Sequence, residues 1–389
     1  MTATPPTIRM WLAEPLAPEC RTAIDRLARI DDVTRIAVLP DIHGASEGGS
    51  LGAGIVLATT RLLIPQAVGA DIGCGMSTCR LNLSADAVPD EQTAMAILAA
   101  VRRTVPIIRH SHRAHPPLPH ACGPHRLSEP LHNALARDGV IEFGTLGRGN
   151  HFLELQRDDD GALWLLVHSG SRAMGQLVTR HHLAQAVKQN GVGALDATTD
   201  PGRAYAADAA WAVDYAADAA WAVDYARLSR EAMLDAAARA IGTALGVPVS
   251  ADPPWGATHN SVTREHHGDE DLWVHRKGAA PAHAGLLNAI PGSMAAETFH
   301  VEGRGECESL CSSSHGAGRT HSRSEATRRT TTKELARQLR NVYTDPQQRP
   351  RLRDEGPAAY RDIRSVMRAQ SDLVRITRRL RPILTFKGV

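Results

Sequence analysis

Trp164-Leu165-Leu166-Val167-His168-Ser169-Gly170-Ser171-Arg172 is a short apolar run that stops at a histidine, two hydroxyls and a glycine. Four consecutive apolar residues bounded by turn signals read as a buried strand. The same step from strand to glycine turn recurs along the chain. Arg35 to Leu39 is closed by Pro40 and followed by Asp41-Ile42-His43-Gly44. Ile55 to Ala58 and Leu62 to Ile64 are two further short strands, and Ser77 to Leu83 alternates like a half-buried one. Trp273 to Lys277 runs into Gly278, and Pro382 to Val389 closes the chain as a last strand. Ile8 to Trp11 is a strand near the start.

Helical spacing appears between these strands rather than in strict alternation with them. Helices are expected over Pro18 to Arg29, Pro89 to Val105, Leu131 to Arg137 with a stop at Gly139, and most of 175–246. The segment Thr330 to Leu380 also reads as mainly helical, with a turn at Thr344 to Pro350. Many short strands with glycine turns argue against a doubly wound sheet. The expectation is an α+β fold, one compact mixed domain over 1–389 with several short-stranded sheets and peripheral helices. Inside the helical stretch, Tyr205 to Asp214 recurs unchanged as Tyr215 to Asp224. Ten residues rotate a helix face by roughly −80°, so the copies cannot point their Trp and Tyr the same way. The repeat reads as a local duplication, a helical insertion at 205–224.

Composition sets wide limits. The chain has 389 residues, 43% hydrophobic and 22% charged, which is ordinary for a soluble globular protein. The net charge of +2 excludes a global polycation. From Arg319 onward, however, 18 Lys and Arg face 7 Asp and Glu, a local excess that attracts phosphates. Six scattered cysteines fit reduced thiols in the cytoplasm better than a disulfide framework. Met1 to Pro18 lacks a basic start followed by an apolar run, and no apolar run can span a bilayer, so no membrane association is expected.

Two groups of residues carry chemistry. Asp71 and Cys74 are three apart, with Gly73 and Gly75 leaving room around the thiol. His151, His168 and His259 each stand at the end of a strand or turn, beside glycine, Asn or Ser. Singly each is an ordinary structural histidine. Together the five make a transition-metal set, and a shared thiolate could hold two ions. Ligand softness favours zinc or cobalt. The second group handles phosphate. Cys311-Ser312-Ser313-Ser314-His315-Gly316-Ala317-Gly318-Arg319 sets a histidine between hydroxyls and glycines, whose backbone N–H groups approach anions closely. His315 there is a ligand, a proton shuttle or a nucleophile toward phosphorus, unless the stretch is a plain Ser/Gly surface loop. Arg319, Arg323, the Arg276-Lys277 pair, Ser293 and Lys387 join this half. No Walker A, GxGxxG or GxSxG context is present.

Taken in order, these motifs resemble the RtcB-type RNA-splicing ligases nearly end to end. The matching stretches are Leu39-Pro40-Asp41-Ile42-His43, Ala67 to Met76, Gly149-Asn150-His151-Phe152, His168-Ser169-Gly170-Ser171-Arg172, His259-Asn260, Arg276-Lys277-Gly278, Ile290 to Met294, Ser314 to Arg319 and Lys387-Gly388. The resemblance implies a mixed α+β domain. It implies that Asp71, Cys74, His151, His168 and His259 bind two Mn²⁺ ions with Cys74 between them. His315 would become guanylylated by GTP, with Asn150, Ser293, Thr298, Glu308, Gly316, Ala317, Gly318 and Lys387 around the guanylate. Arg172, Arg276, Lys277, Arg319 and Arg323 would contact phosphate or RNA. The partner would be RNA with a 3′-phosphate or 2′,3′-cyclic phosphate end and a 5′-hydroxyl end, with an activating protein for some members. A metal-dependent phosphoesterase on the same scaffold and a non-catalytic nucleotide- or RNA-binding relative are the alternatives. The chain departs from the family in its repeat, in Gly44-Ala45-Ser46-Glu47-Gly48-Gly49 and in the extra Val389.

Overall fold

The computed structural model describes residues 5–45, 51–212 and 225–389. Its strands are β1 (Thr7–Met10), β2 (Val33–Ala45), β3 (Leu51–Thr59), β4 (Leu62–Leu63), β5 (Gly75–Ser84), β6 (Phe152–Asp158), β7 (Ala162–Ser169), β8 (Val187–Gln189) and β9 (Val192–Asp196). They continue as β10 (Asn260–His267), β11 (Glu270–Lys277), β12 (Ala279–Pro281), β13 (Leu287–Pro291), β14 (Thr298–Gly303), β15 (Ser312–Ser314) and β16 (Val374–Lys387). A six-stranded sheet has the order β13-β14-β16-β6-β7-β5, and a five-stranded sheet the order β1-β2-β3-β11-β10. Two small sheets, β12-β15 and β4-β9-β8, complete the mixed α+β architecture that the sequence led us to expect.

Helices cover the outer faces. Helix α1 (Pro18–Leu27) buries Cys20, Ala23, Ile24 and Leu27 against β2 and β3. Helix α2 (Glu91–Thr104) starts where the Asp90 carboxylate accepts the Thr93 N–H. Its Ile97, Leu98 and Val101 pack with Met233, Leu234 and Ile241 onto Leu163, Leu165 and Val167 of β7. These two helical rows give the six-stranded sheet one covered face, with strand residues alternating in and out. Among the described residues no helix is long and apolar enough to cross a membrane.

Several expected elements differ, each for a local reason. Strand β2 runs through Pro40, and the ladder to β3 shifts register between Val38 and His43. Proline has no N–H to donate, so it sits in that irregularity. The segment 175–246 is not helical throughout: β8 and β9 form a hairpin across Asn190-Gly191, both at positive φ (49° and 79°). Asn-Gly is the favoured pair for such a turn. The helix near 132 does not stop at Gly139 but passes through a π-helical turn, Leu135–Gly139, to Glu142. The region 330–380 holds only short helices and 3₁₀ turns, and β16 begins at Val374. Val374, Ile376 and Thr377 favour extended backbone, and β16 is paired on both sides, by β14 and β6. Of the tandem repeat, Tyr205 to Ala212 lie in a helix of residues 200–212 with Tyr205 and Trp211 buried. Positions 213–224 lie outside the described residues.

Candidate functional site

Strand register builds the site. Gly75 pairs with Ser169, Phe152 with His168, and Lys387 with Phe152, so one end of the six-stranded sheet carries Cys74, His168, His151 and Lys387 side by side. The start of β10 is stitched to the same end. The Gly73 N–H donates to Asn260 O at 2.9 Å and the His259 N–H to Cys74 O at 2.8 Å. This brings all five expected metal ligands together. Asp71 Oδ2 lies 3.0 Å from His151 Nε2. Cys74 Sγ lies 3.5 Å from His151 Nε2 and 3.2 Å from His168 Nε2, and His168 Nε2 is 3.2 Å from His259 Nε2.

The tautomers follow from the outer partners. His151 Nδ1 faces Leu146 O at 3.0 Å and His168 Nδ1 faces Asn150 O at 3.2 Å. A carbonyl only accepts, so Nδ1 carries the proton and each Nε2 turns a lone pair inward. Burial also holds His168 and His259 well below the ordinary imidazole range, which keeps both neutral. Burial raises the Asp71 carboxyl, but the neighbouring His151 imidazole and then Arg172 outweigh it and leave it below its ordinary value. The buried Asp71 Oδ1 has no hydrogen-bond partner. Lone pairs, a carboxylate and a sulfur converging in a dry site repel one another unless a cation lies among them. The donors fall into two overlapping groups, Asp71-Cys74-His151 and Cys74-His168-His259, that share the thiol. The set therefore fits two divalent ions with a common sulfur. Burial and Asp71 push the Cys74 thiol well up, and a bound cation reverses that by favouring thiolate. Gly170 is required here because a Cβ at that position would run into the Asp71 carboxylate.

One residue that sequence reading missed holds three of these segments. Arg230, on the helix Tyr225–Leu245, is 1% exposed. Its guanidinium donates to Gly73 O at 2.8 Å, Ser169 O at 3.0 Å, Ser77 Oγ at 3.0 Å and Thr258 Oγ1 at 3.4 Å. Gly73, Ser169 and Thr258 are the direct neighbours of Cys74, His168 and His259. A planar fork with fixed donors suits that task better than a flexible ammonium. Its only trace in the sequence is a lone arginine on the face of an alanine-rich helix that otherwise reads as apolar.

His315 follows β15 and its ring centroid lies 4.6 Å from that of His259. Its Nδ1 sits 2.6 Å from Asp41 Oδ2, and Asp41 is fully buried. The Asp41 carboxylate accepts the Nδ1 proton, leaving Nε2 as a free lone pair, the arrangement that activates a histidine. His43 stacks beyond it at 6.4 Å, and burial lowers its pKa to about 4, so it adds no charge. Gly278, at φ 59°, admits the imidazole, since a Cβ there would press on His315 Cε1.

A cavity of about 300 Å³ opens beside His315, within the range of small-molecule sites. Asn150, Ser293, Gly316, Ala317, Gly318, Lys387, Arg319 and Arg323 of the expected residues line it. Glu355 does too, and it organises the cations. Arg319 donates to it at 3.0 Å, and Arg323 and Lys387 also pair with it. Burial raises this carboxyl, but Lys387 and Arg323 outweigh that and hold it at about 2. Asp354 also pairs with Arg323, at 2.7 Å, so three cations face two carboxylates and one positive charge is left over for phosphate oxygens. Glu154, on β6 in the same cavity, is pushed up to about 7 by burial.

Five expected contacts are placed elsewhere. Arg276 is buried, paired with Glu265, and donates to Ser312 Oγ and Leu310 O at 2.9 Å each, so it braces β15 rather than meeting solvent phosphates. Lys277 is half-buried and burial lowers its ammonium pKa. It does not line the cavity. Glu308 is exposed, pairs with Arg9 at 2.7 Å and lies outside the cavity lining. Thr298 is buried behind the wall, accepting from Gln156 Nε2 at 2.9 Å, and Gln156 in turn donates to Glu154 at 2.7 Å. Arg172 borders a second opening with Asp71, Arg148, Asn150 and His151.

Two metal-capable donor groups that share a thiol, beside an oriented imidazole and a cavity lined by cations, suit phosphorus chemistry. The model of the tRNA-splicing ligase RtcB family matches residues 23–121 and 119–388. The RNA-splicing ligase RtcB of Escherichia coli (strain K12) is 33% identical over 404 aligned residues, covering 98% of this chain and 97% of the relative. The RNA-splicing ligase RtcB2 of Escherichia coli (strain ATCC 25922) is 29% identical, covering 93% and 90%. The tRNA-splicing ligase RtcB of Nanoarchaeum equitans is 26% identical, covering 92% and 88%. The chain belongs to the RtcB family.

Proposed function

We propose that this protein is an RNA ligase that joins 2′,3′-cyclic phosphate or 3′-phosphate ends to 5′-hydroxyl ends, using GTP and a guanylylated His315. The observation that carries the reading is the Asp41–His315 pair, which frees Nε2 at the cavity. Nε2 uses its lone pair to form a P–N bond with the α-phosphorus of GTP. The bond to the bridging oxygen breaks, and pyrophosphate leaves with that electron pair. The Nδ1 proton stays in its hydrogen bond to Asp41 throughout. Gly316 to Gly318, Arg319, Arg323 and Lys387 orient the phosphates, which is most of what such a transfer asks of a protein.

A cyclic phosphate end is first opened by water, which bonds to phosphorus while the P–O2′ bond breaks and O2′ takes up a proton, leaving a 3′-phosphate. An oxygen of that 3′-phosphate then attacks the guanylate phosphorus, and His315 leaves as a neutral imidazole. The 5′-hydroxyl oxygen finally attacks the RNA phosphorus, its proton passes to solvent, and GMP departs with the bridging oxygen and the electron pair of the broken bond. Asp71, Cys74, His151, His168 and His259 would hold two Mn²⁺ ions. When bound, these ions supply positive charge to phosphate oxygens beside His315. The substrate is RNA, and the expected compartment is the cytoplasm.

The test uses a synthetic RNA with a 3′-phosphate and a second RNA with a 5′-hydroxyl, incubated with protein, GTP and Mn²⁺. Joined product is expected from the wild type and none from His315→Ala. Release of inorganic phosphate without joining would assign a phosphoesterase instead.

A further inference from the structure

The loop from Pro291 to Glu297 separates two concavities. Pro291 to Met294 line the cavity beside His315, whereas Ala295 to Glu297 line a wider groove of about 830 Å³. Four arginines border that groove: Arg157 on β6, Arg340 after the helix Thr332–Gln338, Arg364 on the helix Ile363–Ala369, and Arg381 on β16. All four are exposed. The carboxylates facing them are Glu297 and Asp362 in the groove and Asp159 at its rim, 3.6 Å from Arg381. Glu297 is shared, pairing with Arg364 at 2.8 Å and Arg381 at 3.3 Å. Asp362 is committed to capping, since its carboxylate accepts the Arg364 backbone N–H at 3.0 Å. Among the described residues Arg157 and Arg340 have no carboxylate partner. The floor is apolar, from Val342, Tyr343, Pro382 and Ile383.

We infer that this groove binds the phosphodiester backbone of single-stranded RNA and leads it toward the loop that borders the His315 cavity. Guanidinium forks match phosphate oxygens bidentately. An arginine-lined track with an aromatic on its floor is the means by which proteins hold single strands without reading sequence. Three of the four arginines come from the basic stretch after Arg319, so the groove gives that charge excess a use that the catalytic cavity does not. The identity of the occupant rests on the ligase reading, while the presence of an anion site does not.

The experiment measures binding of a fluorescein-labelled, 20-nucleotide single-stranded RNA with a 3′-phosphate by anisotropy across a salt series. The double variant Arg157→Gln/Arg340→Gln is compared with the full-length wild type and with Arg157→Lys/Arg340→Lys. Each lost phosphate contact lowers the slope of log affinity against log salt by about 0.7 for a single strand. The Gln pair should therefore reduce the slope by about 1.4 and weaken binding roughly tenfold at low salt. The Lys pair should keep most of both. Labelling of the protein by GTP should be unchanged in every variant, because neither residue lines the His315 cavity. Wild-type affinity and slope in the Gln pair overturn the inference. So does unchanged RNA binding with lost affinity for a polyglutamate peptide, which would assign the groove to an acidic protein. If RNA binding falls as expected but GTP never labels the wild type, the groove stands and the ligase reading falls.

Discussion

Replacing Arg230 with Met keeps the length of the side chain and removes its guanidinium. Two buried carbonyls, Gly73 O and Ser169 O, then lose their donor, and so do the hydroxyls of Ser77 and Thr258. A buried acceptor left without a partner costs about 1–3 kcal/mol. Hydroxyls rotate to other partners and add little. The two carbonyls sum to about 2–6 kcal/mol, offset in part by no longer burying a cation. The folding loss is thus a few kcal/mol, which a chain of this size survives. The larger effect falls on the neighbours, Cys74, His168 and His259, whose positions are no longer tied together. Loss of a positioning partner around a metal site lowers affinity by about 10–100-fold. The assay is titration of the metal-free protein with Co²⁺, read by the thiolate-to-cobalt absorption and the visible ligand-field bands. Arg230→Met should bind Co²⁺ at least tenfold more weakly, while keeping the wild-type far-UV circular dichroism. Arg230→Lys should recover part of the loss, since an ammonium can reach one or two of the carbonyls but not span all three segments. Wild-type Co²⁺ affinity and spectra in the folded Met variant would refute the reasoning.

Three further outcomes are expected. Asp41→Asn places an amide that can donate to His315 Nδ1, moving the imidazole proton to Nε2. GTP-dependent labelling should fall by about 10³–10⁴-fold, the scale of a wrong tautomer at a catalytic histidine, while Co²⁺ titration stays normal. Gly170→Ala drives a methyl into the Asp71 carboxylate, so bound Co²⁺ should fall toward one ion per chain, as counted by elemental analysis. Glu154 is held neutral up to about pH 7 by burial, against an unfolded value near 4.5. The folded state binds the extra proton, so stability falls as pH rises from about 4.5 to about 7 and levels off above. Glu154→Gln should flatten that slope in urea melts, by roughly 3 kcal/mol between pH 4.5 and pH 8.

The five candidate ligands that the structure brings together could be picked out because Cys74, His151, His168 and His259 stand at strand ends, beside glycine, Asn or Ser, with Asp71 three residues before Cys74, and strand ends are where a sheet presents side chains. The apolar centres of β2, β3 and β7 (Arg35 to Leu39, Ile55 to Ala58 and Trp164 to Val167) were legible for the same reason that they are buried, whereas the extensions of β2 past Pro40 and of β3 back through Gly52 and Gly54 were not. Charge networks were not. Arg276 reads beside Lys277 as a basic pair, yet alternation along β11 turns it inward to Glu265 on β10. Only the strand pairing reveals that partner. Glu355 lies 32 residues from Lys387 with no local pattern to link them. Arg-rich β16 imitates a solvated helix because its exposed residues are charged and its partners are distant in sequence. The Asn190-Gly191 turn was in plain sight, and only the helical periodicity around it hid the hairpin.

The central claim is that Nε2 of His315 is the atom that takes the guanylate. Protein incubated with GTP and Mn²⁺ should be digested at neutral to alkaline pH and its peptides mapped by mass spectrometry. A GMP mass on the peptide containing His315, lost on acid treatment and discharged by RNA with a 3′-phosphate end, is the expected result. A GMP adduct on lysine, on another histidine, or on no residue at all would contradict the account.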